Sequence, residues 1–156
     1  MLEKSKPVRG RVAGVDFGTV RIGVAIADLD VGIASPFETY RRSGEQADAR
    51  YFSRLANQEA IMRFVVGLPV HLDGHESQKS AEARQFGAWL AEVTGVAVVF
   101  FDERFTSVEA EAHLERAGLT KKRRQARRDM VAAQVMLAAY LESGRQGQDD
   151  PGAIDD

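Results

Sequence analysis

Residues 10–28 read GRVAGVDFGTVRIGVAIAD, and their pattern decides how the chain is built. Arg11–Val15 and Gly23–Ala27 are short Val- and Ile-bearing segments, and the polar, glycine-containing DFGTVRI between them suits a tight connection of two antiparallel strands. A third strand is expected at Phe37–Arg41. Gln46–Gln58 then spaces Ala49, Phe52, Leu55 and Ala56 at helical intervals. Ile61–Val66 and Val96–Phe101 are nearly unbroken apolar runs, the pattern of strands covered on both faces, and are expected to be central and parallel. Between them Ser77–Val93 carries Ala83, Phe86, Leu90 and Val93 on one stripe, so strand, helix and strand form a right-handed crossover. Phe86 and Trp89 on this helix read as packing residues.

Beyond Phe101, the stretch DERFTSVEAEAHLERAGL opens a helix with a capping box at Thr106 and Glu109 and stops it at Gly118. A last amphipathic helix is expected over Asp129–Ser143, with Met130, Val131, Val135, Ala138 and Leu141 on its inner face. The order predicts an α/β fold with a five-stranded mixed sheet, three antiparallel strands and then parallel ones, flanked by helices. Residues 1–9 and the Gly/Pro-broken acidic stretch 144–156 are expected to be disordered, leaving one domain over 10–143.

The 156 residues are 44% hydrophobic and 28% charged, which fits one globular domain. No apolar run has the length of a membrane span and the first residues lack a secretory signal, so a cytoplasmic protein with no membrane partner is expected. Cysteine is absent, which excludes disulfides, thiolate metal sites and a cysteine nucleophile. The net charge of −2 is uneven, because the stretch from Gly144 onward holds one basic residue and four acidic ones. The remainder is slightly basic, and Lys121–Arg128 packs six positive charges into eight residues. Such a run is either a solvated face or an attractor for polyanions.

Ligands of open α/β sheets bind at the carboxyl ends of the parallel strands, and that is where this chain puts acids. Asp16 ends the first strand, Asp102 and Glu103 end the last, and Asp129 begins the final helix, where the helix dipole favours its ionised form. Each acid alone could be a turn or cap residue. Gathered without cysteine or a convincing histidine pair, they form a hard oxygen set suited to Mg²⁺ or Mn²⁺. His71 and His75 are separated by LDG, which argues against a helix aligning them, and His113 reads as a helix-surface residue. Gly18 and Gly23 permit a phosphate to approach the backbone, although turn geometry explains them more simply, and Gly67, Leu68 and Pro69 read as a turn. Arg21 is a phosphate contact or a surface charge.

Four stretches together resemble a known family: GVDFGTVRIGVAIAD, VVGLPVHLDG at Val65–Gly74, FFDERFTSVEA at Phe100–Ala110 and RRDMVAAQVMLAAYLE at Arg127–Glu142. They are similar, in the right order over residues 10–143, to the YqgF family of Holliday junction resolvase-like nucleases assigned to 5′-end maturation of pre-16S ribosomal RNA. The resemblance implies a ribonuclease H-like fold. It carries the family's first-strand acid onto Asp16, its DER carboxylates onto Asp102 and Glu103, and its final-helix acid onto Asp129. The chain has Arg128 where the family usually has an apolar residue.

The resulting expectation is metal-dependent phosphodiester hydrolysis by Asp16, Glu103 and Asp129 at a two-metal site of Mg²⁺ or Mn²⁺ bridged by Asp16. Asp102 is a possible further ligand, but adjacent residues leaving a strand point in opposite directions and the longer Glu103 is chosen. Arg21, Arg104, Lys121, Lys122, Arg123 and Arg124 would bind substrate phosphates. The expected partner is nucleic acid, precursor rRNA or branched DNA, with the protein a monomer or weak homodimer. Two rivals stand beside this reading. DFGT also opens the sugar-kinase, actin and chaperone ATPases, although those close two such domains around a nucleotide. A ribosome assembly factor could also bind RNA with this fold without cutting it.

Overall fold

The computed structural model describes residues 10–69, 77–103 and 121–149, with side chains over 127–144 in the last of these. The expected helix around Thr106–Gly118, together with Arg104, His71, Asp73, Gly74, His75 and His113, lies outside the described residues. So do residues 1–9 and 150–156.

Five strands are present: β1 (Arg11–Asp16), β2 (Arg21–Asp28), β3 (Ala34–Arg41), β4 (Ile61–Leu68) and β5 (Ala97–Asp102). Helices α1 (Glu45–Gln58) and α2 (Gln78–Thr94) flank β4 in the chain, and α3 (Lys121–Asp149) closes the described part. The strands lie in the order β3-β2-β1-β4-β5. β1 pairs antiparallel with β2 and β2 with β3, whereas β1 and β4 and then β4 and β5 are parallel. This is the mixed α/β sheet expected.

Two elements depart from expectation. β5 is not central; it sits at one edge of the described sheet and its residues are mostly half-buried. An apolar run reports that both faces are covered, but says nothing of whether both edges are paired. The final helix begins at Lys121 rather than Asp129 and runs to Asp149, past the point where it was expected to end. Lys, Arg, Gln and Ala are all good helix formers, and repulsion between like charges a turn apart on a helix is too weak to override that propensity.

Strand alternation splits the core in two. On one face Ala13, Val15, Ile22, Val24, Phe64 and Val66 meet Phe52 and Leu55 of α1 and Phe86 and Leu90 of α2. This face is rich in aromatic rings, with Trp89 packed against it as expected. On the other face Val12, Ala25, Ala27 and Val65 meet Ala133, Met136, Leu137 and Leu141 of α3. The strand residues there are small, and small residues let a long helix lie close to the sheet. A Cβ on Gly14 would stand 2.8 Å from the Leu137 Cβ, too near for both to stay in place.

Local chemistry fixes the helix ends. The Ser77 side chain accepts from the Ser80 N–H at 3.2 Å and starts α2, and Gly95, left-handed at φ 71°, stops it. Gly44 caps the start of α1, its carbonyl accepting from the Asp48 N–H at 2.8 Å.

Candidate active site

β1 alternates so that Ala13 and Val15 face α1 and α2 while Val12 faces α3. Asp16 therefore ends the strand on the α3 face. Its cross-strand partner on β2 is Gly23, and a side chain there would collide with the backbone of α3 at Asp129 and Met130. Glycine at this position lets α3 rest directly on β2 beside Asp16. The helix thus reaches the sheet with Asp129 at the end of β1.

The same rule sorts the adjacent acids. Val98 and Phe100 of β5 pack toward α1 and α2, and Val99 and Phe101 toward α3. Continued one step, the alternation sends Asp102 to the first face and Glu103 to the second, with Asp16 and Asp129. The structure supports this directly, because the Glu103 carboxyl lies over Gly67 of β4, where a Cβ would overlap it. Gly67 and Leu68 are thus strand residues and not the expected turn, and Gly23 serves helix packing. Gly18 does serve the turn, since a Cβ would strike the Arg21 carbonyl oxygen. The signal for the other two was present, as a glycine inside a strand pattern marks a close approach of something else.

The electrostatics follow from the gathering. Burial first, then the nearby charges of Glu103 and Asp129, push the Asp16 carboxyl up to about 7, with Arg128 acting against them. Glu103 is also raised, by burial and by Asp102. Asp129 is in an ion pair, with Arg21 Nε donating to its Oδ2 at 3.0 Å, and its side chain is 25% exposed. It is more than two turns inside α3, so the dipole at a helix start does not act on it as expected. Arg128 is exposed. Lys121, Lys122, Arg123 and Arg124 occupy the first turn of α3, upstream of Asp129 on one helix.

The structure thus brings Asp16, Glu103, Asp129 and Arg21 to one end of one face and directs Asp102 to the other. Among the described residues no three acids or histidines are drawn into a finished metal cage.

The comparisons agree with this architecture. The family described as RuvX, Holliday junction resolvase, matches residues 10–143. The chain belongs to that family. A Rhodopirellula baltica relative named "Putative pre-16S rRNA nuclease" is 52% identical over 92% of this chain and 83% of its own length. A Koribacter versatilis protein of the same name is 36% identical over 96% of this chain and 98% of its own. Among solved structures, Thermus thermophilus RuvC in complex with a Holliday junction substrate matches with a TM-score of 0.56. The identity is 13%, over 88% of this chain and 96% of that one. The fowlpox virus resolvase with Holliday junction DNA has a TM-score of 0.55 at 11% identity, over 85% of this chain and 97% of that one. These two share the fold, which is the ribonuclease H-like one expected. RuvX is a family of nucleases, so the chain is placed among enzymes that act on nucleic acid. No helix among the described residues is long and apolar enough to cross a membrane.

Proposed function

We propose that the protein is a cytoplasmic, metal-dependent nuclease that trims the 5′ end of pre-16S ribosomal RNA, with Asp16, Glu103 and Asp129 as its catalytic carboxylates. The observation that carries this reading is the gathering of half-buried Asp16 with Glu103 and Asp129 at one end of one face, which also pushes the Asp16 carboxyl up to about 7. Half-buried carboxylates that repel one another do not serve stability, since desolvation and repulsion keep Asp16 raised even with Arg128 acting against them and Arg21 paired to Asp129. Three carboxylates without thiolate or paired imidazole make a donor set that fits Mg²⁺ or Mn²⁺.

When bound, the divalent cation supplies an activated water and offsets the charge that develops on the phosphate. Asp16, at the centre of the three, would hold it together with Glu103 and Asp129. The bond formed is from water oxygen to phosphorus, and the bond broken is from phosphorus to the 3′ oxygen, which leaves with a proton. Gly23 and Gly67 set the distance from which Asp129 and Glu103 reach Asp16. Exposed Arg21 and Arg128 stand where backbone phosphates would pass, and the sequence adds Lys121, Lys122, Arg123 and Arg124 upstream on the same helix as further candidate phosphate contacts. Arg104 would join them. Phosphate contacts of this sort position a strand without reading bases, so selectivity would come from RNA shape or single-stranded elements.

The test is cleavage of end-labelled precursor 16S rRNA by the purified chain, titrated with Mg²⁺ and Mn²⁺, beside a four-way DNA junction and the Asp16→Asn protein. Metal-dependent shortening of the RNA that Asp16→Asn lacks is the expected result. Cleavage of the junction alone would favour the DNA reading, which the family description supports. Tight RNA binding without cleavage at any metal concentration would leave an assembly factor.

A further inference from the structure

Arg21 and Arg41 are directly opposite each other across β2 and β3. Directly opposed residues on antiparallel strands share a face, and like charges there destabilise the pair. Arg21 spends part of its charge on Asp129, at 3.0 Å, while remaining 55% exposed. Arg41 is exposed and has no ion-pair partner among the described residues. Two arginines on one face at directly opposed positions, one without an ion-pair partner among the described residues, at the mouth of an acidic site, match a bridging phosphate far better than they match each other. Arg21 cannot serve that phosphate fully while it holds Asp129. Asp129 in turn cannot turn fully to Asp16 while Arg21 holds it, and no three acids among the described residues are gathered into a metal cage.

We propose that Arg21 and Arg41 form a phosphate subsite for the nucleic-acid backbone that also acts as a latch, in which the arriving phosphate draws Arg21 off Asp129 and frees that carboxylate to complete the acidic site with Asp16 and Glu103. This rests on the metal-dependent reading above and adds an order to it: substrate first, full metal affinity second. Arg21 is a positioning residue for Asp129 before substrate binds and a phosphate ligand afterwards. Because binding coupling is reciprocal, metal and nucleic acid each tighten the other.

The experiment compares the parent with Arg21→Gln and Arg41→Gln in two measurements on the full chain. Mn²⁺ affinity without nucleic acid is read from the electron paramagnetic resonance of the free ion. Affinity for a short 2′-O-methyl oligouridylate is read in EDTA across a salt series. Both variants remove one positive charge from the same patch, but only Arg21→Gln opens the latch. Arg21→Gln should bind Mn²⁺ about two- to fivefold tighter than the parent, the scale of a partly exposed ion pair. Arg41→Gln should match the parent for Mn²⁺. Each should bind the oligonucleotide more weakly, with a logarithmic salt slope shallower by roughly 0.7. Equal Mn²⁺ affinity in Arg21→Gln and Arg41→Gln overturns the latch, and unchanged oligonucleotide affinity and slope in both overturn the subsite. Absence of Mn²⁺ binding in all three proteins would instead bring down the metal reading itself.

Discussion

Asp16, half-buried at the end of β1, and Asp48, fully buried on α1, lie on opposite faces of one sheet, and their surroundings treat them in opposite ways. Asp48, on α1, is 1% exposed. Burial pushes its carboxyl up, but donors from the Ser43 N–H at 2.9 Å, Tyr40 Oη at 2.7 Å and Arg42 Nε at 3.0 Å outweigh this and leave it below its ordinary value. Asp16 is surrounded by acids instead, and is raised to about 7. The Asp48 face is assembled for stability: aromatic rings, a satisfied carboxylate, and Arg42 stacked over Phe17 at 5.3 Å. The α3 face gives up packing volume to glycines and tolerates repulsion at its end. A buried charge supplied with donors belongs to the scaffold; one supplied with further negative charge is, on the proposed reading, the place for a cation from outside.

The sharpest way to break this contrast is to neutralise each aspartate. Asp16→Asn should reduce metal-dependent cleavage to background, as the nearly isosteric amide removes the charge at the centre of the three acids. The metal-free protein should lose nothing in stability. The folded Asp16 carboxyl stands above its unfolded value of 3.8, so the parent loses stability as pH rises from about 4 to about 7. The variant should lack that slope in urea titrations run at several pH values. An Asp16→Asn protein that cleaves normally, or is destabilised at pH 8, would put Asp16 with the scaffold.

Next in its effect on cleavage is Gly23→Ala. The added methyl meets the α3 backbone at Asp129, which cannot swing aside as a side-chain end would. Overpacking costs typically about 1–3 kcal/mol, so the denaturation midpoint should fall. Cleavage should fall further than stability explains, because Asp129 shifts with the helix. At Gly67 the alanine methyl would meet only the mobile end of Glu103, so Gly67→Ala should lose activity with little change in midpoint.

Asp48→Asn reverses the Asp16 result. The amide leaves a donor facing the Arg42 guanidinium and weakens acceptance from Tyr40 and Ser43, and the loss should be roughly 2–4 kcal/mol by urea denaturation. The folded carboxyl of the parent lies below its unfolded value. Its contribution is therefore present above about pH 4 and is lost as pH falls through the folded value, the opposite direction to Asp16. Cleavage at a temperature where both proteins are folded should be unchanged.

Much of this was legible beforehand, for identifiable reasons. Alternation and helical spacing are local properties, so β1, β2, β4, α1 and α2 were expected within a few residues of where they lie. Asp16 and Glu103 could be nominated because sheet topology sends strand ends to one place. What could not be read was pairwise. Nothing local distinguishes an apolar strand at an edge from a central one, hence the misplacement of β5. The start of α3 was hidden because a basic run looks like a loop when its charges are counted and like a helix when its propensities are. The Arg21–Asp129 pair spans 108 positions in the chain, and the roles of Gly23 and Gly67 depend on partners as distant. Asp48 was passed over because its donors are set by the turn before α1, a geometry the spacing of α1 does not reveal.

The smallest effect, and the one that tests face assignment most closely, belongs to Asp102. It neighbours Glu103 in sequence, yet alternation from Phe100 and Phe101 directs it toward α1 and α2. The charge of Asp102 is one cause of the raised Glu103 carboxyl, after burial. Asp102→Asn should therefore leave cleavage within a few-fold of the parent and ease Glu103 back toward its ordinary value. The pH profile of cleavage should shift slightly to the acid side if Glu103 must be ionised. Glu103→Gln should abolish cleavage and weaken Mn²⁺ binding, as its carboxyl is the one lying over Gly67 on the Asp16 side. The pair is measured by single-turnover cleavage across pH beside a Mn²⁺ titration. A reversal, with Asp102→Asn inactive and Glu103→Gln active, would mean that the chain turns over at the end of β5, and that the acid serving Asp16 comes from the face now assigned to the scaffold.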